Sequence, residues 1–191
     1  MVFRDPTTHL FQPIATLSAP VNFAVFETSG IDFEANYTHK FGNGDKIDLR
    51  ALATYVFVKN FHTDPTNPAN FTKALGTLGD AQLNAQASID YRRGGLTLHY
   101  DARFIGATLI STYEQTLSAS GAYLYVDNHY PLITYHDVSA TLDVNNRFSI
   151  KVGSDNVFDQ LPPYGLRGVT ANDGQYDNVG RTFYARVVVK Y

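Results

Sequence analysis

Apolar and polar residues alternate with a period of two along most of this chain. Ile31, Phe33, Ala35 and Tyr37 alternate with Asp32, Glu34 and Asn36. Past Gly42-Asn43-Gly44-Asp45 the apolar set is Ile47, Leu49, Ala51, Ala53, Tyr55 and Phe57, set against Asp48, Arg50 and Thr54. The pattern returns in Leu83–Tyr91, in Leu96–Phe104 after Arg93-Gly94-Gly95, in Val138–Val144, in Phe148–Val152 past Asn145-Asn146, and in Phe183–Tyr191. Side chains alternate faces along a strand, so each segment has one apolar and one polar face. About seven strands are predicted, and no helical stripe competes with them. Leu52, Val56 and Ile105 break the rule by falling on the polar side.

The connections carry a second rhythm. Those at 42–45, 93–95 and 145–146 are tight and rich in Gly or Asn, as hairpins require. Those between them, about 58–80, 105–135 and 157–178, are long. Most loops of soluble domains run to about 4–6 residues, whereas transmembrane barrels alternate short turns on one side with long loops on the other. Aromatics near strand ends on the apolar face (Tyr37, Tyr55, Phe57, Tyr91, Phe104, Phe148, Phe183, Tyr191) match the girdles of such barrels. The expected fold is all-β, an antiparallel up-and-down transmembrane β-barrel wall.

Composition narrows the chemistry. There is no Cys, which removes disulfides, thiolate metal sites and cysteine nucleophiles. A formal charge of -3 and a pI near 6.0 offer no basic field for nucleic acid. No apolar run reaches the ~18–20 residues of a membrane helix, and Met1-Val2-Phe3-Arg4-Asp5-Pro6 does not read as a signal peptide. His9, His39, His62, His99, His129 and His136 lack metal-ligand spacing, and the serines lack a nucleophile elbow. Neither an enzyme nor a resident cofactor is expected.

The last third carries sharper motifs: Val152-Gly153-Ser154-Asp155-Asn156-Val157-Phe158-Asp159, then Pro162-Pro163, then Val179-Gly180-Arg181-Thr182-Phe183-Tyr184, and an aromatic carboxy-terminus. Upstream stands Glu27-Thr28-Ser29-Gly30-Ile31-Asp32-Phe33-Glu34. In this order they resemble the C-terminal barrel portion of TonB-dependent receptors, whose penultimate strand carries Asn-x-Phe-Asp and whose last strand opens with Gly-Arg. The resemblance runs from about Thr28 to Tyr191.

The resemblance implies a plugged barrel of near 22 strands, of which residues 28–191 supply about seven C-terminal strands. Residues 1–27 would be an extracellular loop or an incomplete strand region. With no plug domain, TonB-contacting segment or signal peptide read in it, the chain is expected to be a fragment. The parent would bind a scarce nutrient, a siderophore–iron complex or similar large solute, and import it with TonB-supplied energy. Partners implied are outer-membrane lipid, the plug and TonB of the full-length protein, the nutrient, and the outer-membrane assembly machinery. Phe183, Ala185, Val187, Val189 and Tyr191 match the terminal signal read by that machinery. Extracellular loops bind ligand in this family, which makes Tyr113, Tyr123, Tyr125, His129 and Tyr130, with Tyr135, the candidate ligand contacts. Asp48, Arg50, Asp101, Arg103, Lys151 and Arg186 are expected to face the lumen, with Glu34, Asn84 and Asp90. Asn172, Asp173, Asp177 and Asn178 read as turn residues before a cation site. Two other readings remain at this point: a small standalone outer-membrane barrel, against which an odd strand count argues, and a soluble β-sandwich binding module.

Overall fold

A computed structural model describes residues 25–62, 67, 69, 71–109, 116–117, 123–124, 129–163 and 175–190. Among them there is no helix, and none is long and apolar enough to cross a membrane. The strands are β1 (Val25–Lys40), β2 (Lys46–His62), β3 (Phe71–Lys73), β4 (Leu83–Arg93), β5 (Leu96–Ile105), β6 (Thr108–Leu109), β7 (Thr116–Leu117), β8 (Tyr123–Leu124), β9 (His129–Tyr130), β10 (Ile133–Asp143), β11 (Phe148–Asp155) and β12 (Thr182–Val189).

One antiparallel sheet holds the long strands in the order β1-β2-β4-β5-β10-β11-β12, with β3 added to the far end of β2. The small pairs β6–β9 and β7–β8 stand apart from it. Each tight connection joins neighbours in the sheet, as the Gly and Asn signals required. At the first, Phe41 N donates to Asp45 O at 2.8 Å and Asn43 Oδ1 accepts from Asp45 N at 3.1 Å. At the third, Asn145 Oδ1 accepts from the Arg147 and Phe148 amides at 2.8 and 3.0 Å. All three tight turns lie at one end of the sheet and the long connections at the other.

The register turns the sequence alternation into two continuous faces. One row runs Tyr37, Leu49, Ile89, Tyr100, Val138, Ser154, Phe183 across all seven strands. The next runs His39, Ile47, Tyr91, Leu98, Ala140, Val152, Ala185. These rows are staggered: Tyr37 lies near the turn end of β1, whereas its row partner Phe183 lies at the loop end of β12. Among the described residues no second strand layer covers this apolar face, although Phe158 packs against His136 at its loop end; Ile31 and Phe33 are each 59% exposed, Val187 64% and Phe183 76%. Contiguous exposed apolar patches mark surfaces that meet protein or membrane.

Strands β1 and β2 continue past the loop end of β4. A register shift between Ser29 and Gly30 inserts Phe57 as an extra residue in β2. Above it the face that carried Ile31 and Phe33 becomes polar, because Glu27 now stands with Asn60 and His62. The apolar band therefore has a defined upper border on these two strands.

The enclosed core is small and sits at the loop end of the other face. Ala81, Ile105, Ile133, Tyr135 and Tyr176 form it, with Leu78 and Tyr130 packed against it. This accounts for Ile105, the apolar residue on the polar side: it is 2% exposed beneath Tyr176 and its neighbours.

Candidate functional site

The polar face is also built in rows. Thr38, Asp48, Asp90, His99, Ser139, Gly153 and Tyr184 form one, and Lys40, Lys46, Arg92, Thr97, Thr141, Lys151 and Arg186 form the next toward the turns. Asn36, Arg50, Ser88, Asp101 and Asp137 form a third toward the loops. The register thus brings Asp48, Arg50, Asp101, Arg103, Lys151 and Arg186 onto one face, with Glu34, Asn84 and Asp90. Their charges are knitted together. Asp48 takes Thr38 Oγ1 at 2.5 Å, Lys46 Nζ at 2.7 Å and Arg92 Nη1 at 3.1 Å. Asp90 Oδ1 lies 2.8 Å from His99 Nδ1, and Gln86 Nε2 donates to Asp101 at 2.9 Å. Each exposed pair contributes little by itself, about 0–1 kcal/mol, but together they leave a solvated, charge-balanced surface.

Gly153 interrupts this face because Tyr184 occupies the space above it. A Cβ at Gly153 would lie 2.5 Å from the Tyr184 ring and 2.8 Å from Val138 O. The ring covers the glycine, with Lys151 Nζ 5.7 Å from its centre.

At the loop end, residues 175–177 fold back over the polar face, and Asn156 holds them there. Its side chain is 1% exposed. Asn156 Nδ2 donates to Gln160 O at 2.8 Å and to Asp177 Oδ2 at 3.3 Å, and its Oδ1 accepts from Gln160 N at 2.7 Å. The Asn156 amide donates to Asp137 Oδ1 at 2.6 Å. Asp177 N in turn donates to the Tyr135 hydroxyl at 3.0 Å, and the Tyr176 hydroxyl lies 3.3 Å from Thr108 Oγ1. Arg103 spans the junction: its Nη1 donates to Gln175 O at 3.1 Å while its guanidinium stacks 4.8 Å above the Tyr135 ring. Beside it, Leu52, Thr54, Asn84, Gln86, Arg103 and Gln175 line a hollow of about 230 Å³.

The loop residues singled out from the sequence part company. Tyr113 and Tyr125 lie outside the described residues, and of Tyr123 only its place in β8 is described. His129 is exposed beside Lys73, Gln82 and Leu109, whereas Tyr130 packs on the small core. Tyr135 is a β10 residue 3% exposed, so it is a packing and hydrogen-bonding group rather than an exposed loop contact. Asp177 acts as a turn residue, its Oδ1 accepting from Val179 N at 2.9 Å; Asn172 and Asp173 lie outside the described residues. On the apolar face Phe183, Ala185 and Val187 fall in successive rows and Val189 pairs with Phe148, while Tyr191 lies outside the described residues. Sequence reasoning missed the Asn156 hub and Tyr176. The Asn-x-Phe-Asp motif marked the first, and nothing marked the second.

Chemically this arrangement offers polar contact and ionic steering. Among the described residues no group of three or more His, Asp or Glu is disposed to hold a metal ion. No protein-family model, curated protein or solved structure matches this chain.

Proposed function

We propose that the chain is a section of the wall of an outer-membrane β-barrel of the TonB-dependent receptor type, about seven strands of a barrel near 22. The protein that carries it would import a scarce nutrient, a siderophore–iron complex or a similar large solute. The observation that carries this reading is the apolar face: its rows cross all seven strands, with His39, Thr134, His136 and Ser154 as polar members, and among the described residues no second strand layer lies on it. Lipid is the solvent such a face fits. Strands β4 and β10, 11 residues each, and β5, 10 residues, span about 25–28 Å at ~3.3 Å per residue and ~40° tilt. Staggered rows are what a tilted, closing sheet needs. Tyr55 and Phe57 at one border and Phe41 and Phe148 at the other sit where aromatic girdles sit. The polar face would line the lumen toward a plug, with residues 175–177 narrowing it, and the long connections would meet the nutrient. No bond is made or broken by these residues; they hold, steer and enclose.

The chain has no Trp, so single tryptophans report position cleanly. Phe33→Trp and Val187→Trp, reconstituted in vesicles with brominated acyl chains, are expected to be strongly quenched, and Glu34→Trp and Arg186→Trp weakly. Equal quenching on both faces, or none, overturns the wall. Import is tested in cells with labelled iron–siderophore complexes, cobalamin and oligosaccharides. Uptake abolished by a protonophore supports the receptor reading; uptake indifferent to it removes that reading.

A further inference from the structure

We propose that the edge of β1, which pairs with β2 alone among the described residues, is an interface for one more antiparallel strand, running from the turn end to the loop end. That strand carries apolar side chains outward and Lys or Arg inward, opposite Asp32 and Glu34. The inference rests on the reading above for one point, that the sheet continues beyond β1.

Direction follows from the pairings. Six successive antiparallel pairings separate β1 from β12, so the two edge strands run the same way, from loop end to turn end. Joining β12 to β1, within one chain or head to tail between copies, would be a parallel pairing. Joining β1 to β1 of a second copy would be antiparallel, but it would invert that copy and put long connections on both sides of the sheet. An antiparallel neighbour from a different strand satisfies the edge without either conflict.

Chemistry follows from the side chains. Every residue of β1 is exposed. Outward stand Ile31, Phe33, Ala35 and Tyr37, which an apolar neighbour would extend. Inward, Asp32 takes only the Thr54 hydroxyl, at 2.7 Å, and Glu34 takes Asn36 at 3.1 Å and a loose Arg50 contact at 3.4 Å, both partners more than half exposed. The remaining inward residues of β1 are Phe26, Thr28 and Gly30 toward the loop end and Asn36, Thr38 and Lys40 toward the turn end; across from β1 on β2 stand Lys59, which is paired with Asp80, then Val56, Thr54, Leu52, Arg50, Asp48 and Lys46. Asp32 and Glu34 lie at this edge with the loose Arg50 as the one cation in contact with them, which selects positive charge opposite them on the incoming strand.

The test uses the full chain in detergent micelles. With no native Cys, a quencher is attached at Asn36→Cys on β1 or, separately, at Ala185→Cys on β12. The probes are two fluorescent 11-residue peptides alternating Val with Lys or Val with Glu. The Lys peptide is expected to be quenched from β1 with an affinity about tenfold higher than the Glu peptide. Asp32→Asn with Glu34→Gln should erase the preference, and Asp32→Lys with Glu34→Lys should reverse it. Equal binding of both peptides, a preference unchanged in the neutral variant, or quenching only from β12 overturns the proposal. Charge selectivity at β1 without lipid contact in the tryptophan experiment would retain the edge and remove the barrel; lipid contact without selectivity would do the opposite.

Discussion

Asp159 Oδ1 accepts the backbone N–H of Arg181 at 2.9 Å, tying the end of the Asn-Val-Phe-Asp stretch to the start of the last strand. The same oxygen would lie 2.9 Å from a Cβ at Gly180, whose φ is +78°. Gly-Arg is thus needed as a unit: the glycine gives the chain its turn and close approach, and the next amide docks on the carboxylate. Gly180→Ala is expected to destabilise by about 1–3 kcal/mol, from positive-φ strain plus displacement of that contact. Asp159→Asn, which keeps an acceptor and tolerates the positive φ of 55° at that position, should cost less. Urea midpoints of the chain folded in detergent decide it; equal midpoints for Gly180→Ala and the parent would refute the account.

The Asn156 hub makes a sharper prediction. Asn156→Ala removes both the Nδ2 donor and the Oδ1 acceptor from a site that is 1% exposed and leaves Gln160 N and Gln160 O to find other partners. Buried groups left unpaired cost about 1–3 kcal/mol each. Exchange of the Gln160 amide with deuterium should rise by at least about tenfold relative to the parent, while amides in β1 and β2 stay unchanged. Uniform loss of protection would show instead that the hub supports the whole sheet.

The β1–β2 extension should respond to acid. Glu27 lies above the register shift, beyond the apolar band and outside the span assigned to the bilayer. Its carboxylate is held below the ordinary glutamate range, first by the Asn60 amide at 3.0 Å and then by His62 at 3.6 Å. A folded pKa depressed below the unfolded one gives stability that is complete above the unfolded value and lost as pH falls through the folded value. Amide protection in Val25–Ser29 and Val58–His62 is therefore expected to be steady above about pH 5 and to decline below it. Glu27→Gln should flatten that response; an unchanged acid response in the variant would assign it to another group.

Much of this sheet was legible because the decisive signal is local. Two-faced strands announce themselves by alternation within a few residues, and the turns by Gly and Asn, so β2, β4, β5, β10, β11 and β12 and their tight turns follow from the sequence. Alternation was read only from Ile31 because Glu27 and Ser29 put polar groups on the face that Ile31 and Phe33 keep apolar. Strand β1 begins earlier, at Val25. The loop-end cluster was not legible for a different reason. Ile105 and Tyr176 meet across a long stretch of chain, and neither residue's neighbours specify the other. Tyr135 was read as part of a loop because Ile133, Tyr135 and Asp137 face the cluster and the polar side together, which blurs the period of two at the start of β10.

The two faces of β11 offer the most direct contrast, between the adjacent residues Lys151 and Val152. Val152 pairs with Ala140 and Ala185 in the apolar row, and Lys151 with Thr141 and Arg186 in the polar row. In a bilayer, Val152→Arg places a guanidinium in lipid, at a cost of about 2–4 kcal/mol near the midplane and less near the border. Lys151→Val removes a charge from a solvated face and a contact to the Tyr184 ring 5.7 Å away, worth about 0.5–1 kcal/mol at an exposed site. Refolding into vesicles across a urea series should therefore separate the two by at least about 1 kcal/mol, with Val152→Arg the less stable. In a sheet whose apolar face met another protein layer in water, Val152→Arg would also destabilise, so the same pair is compared in short-chain and long-chain lipid. A gap that changes with bilayer thickness belongs to a membrane wall, and a gap indifferent to it belongs to a protein interface.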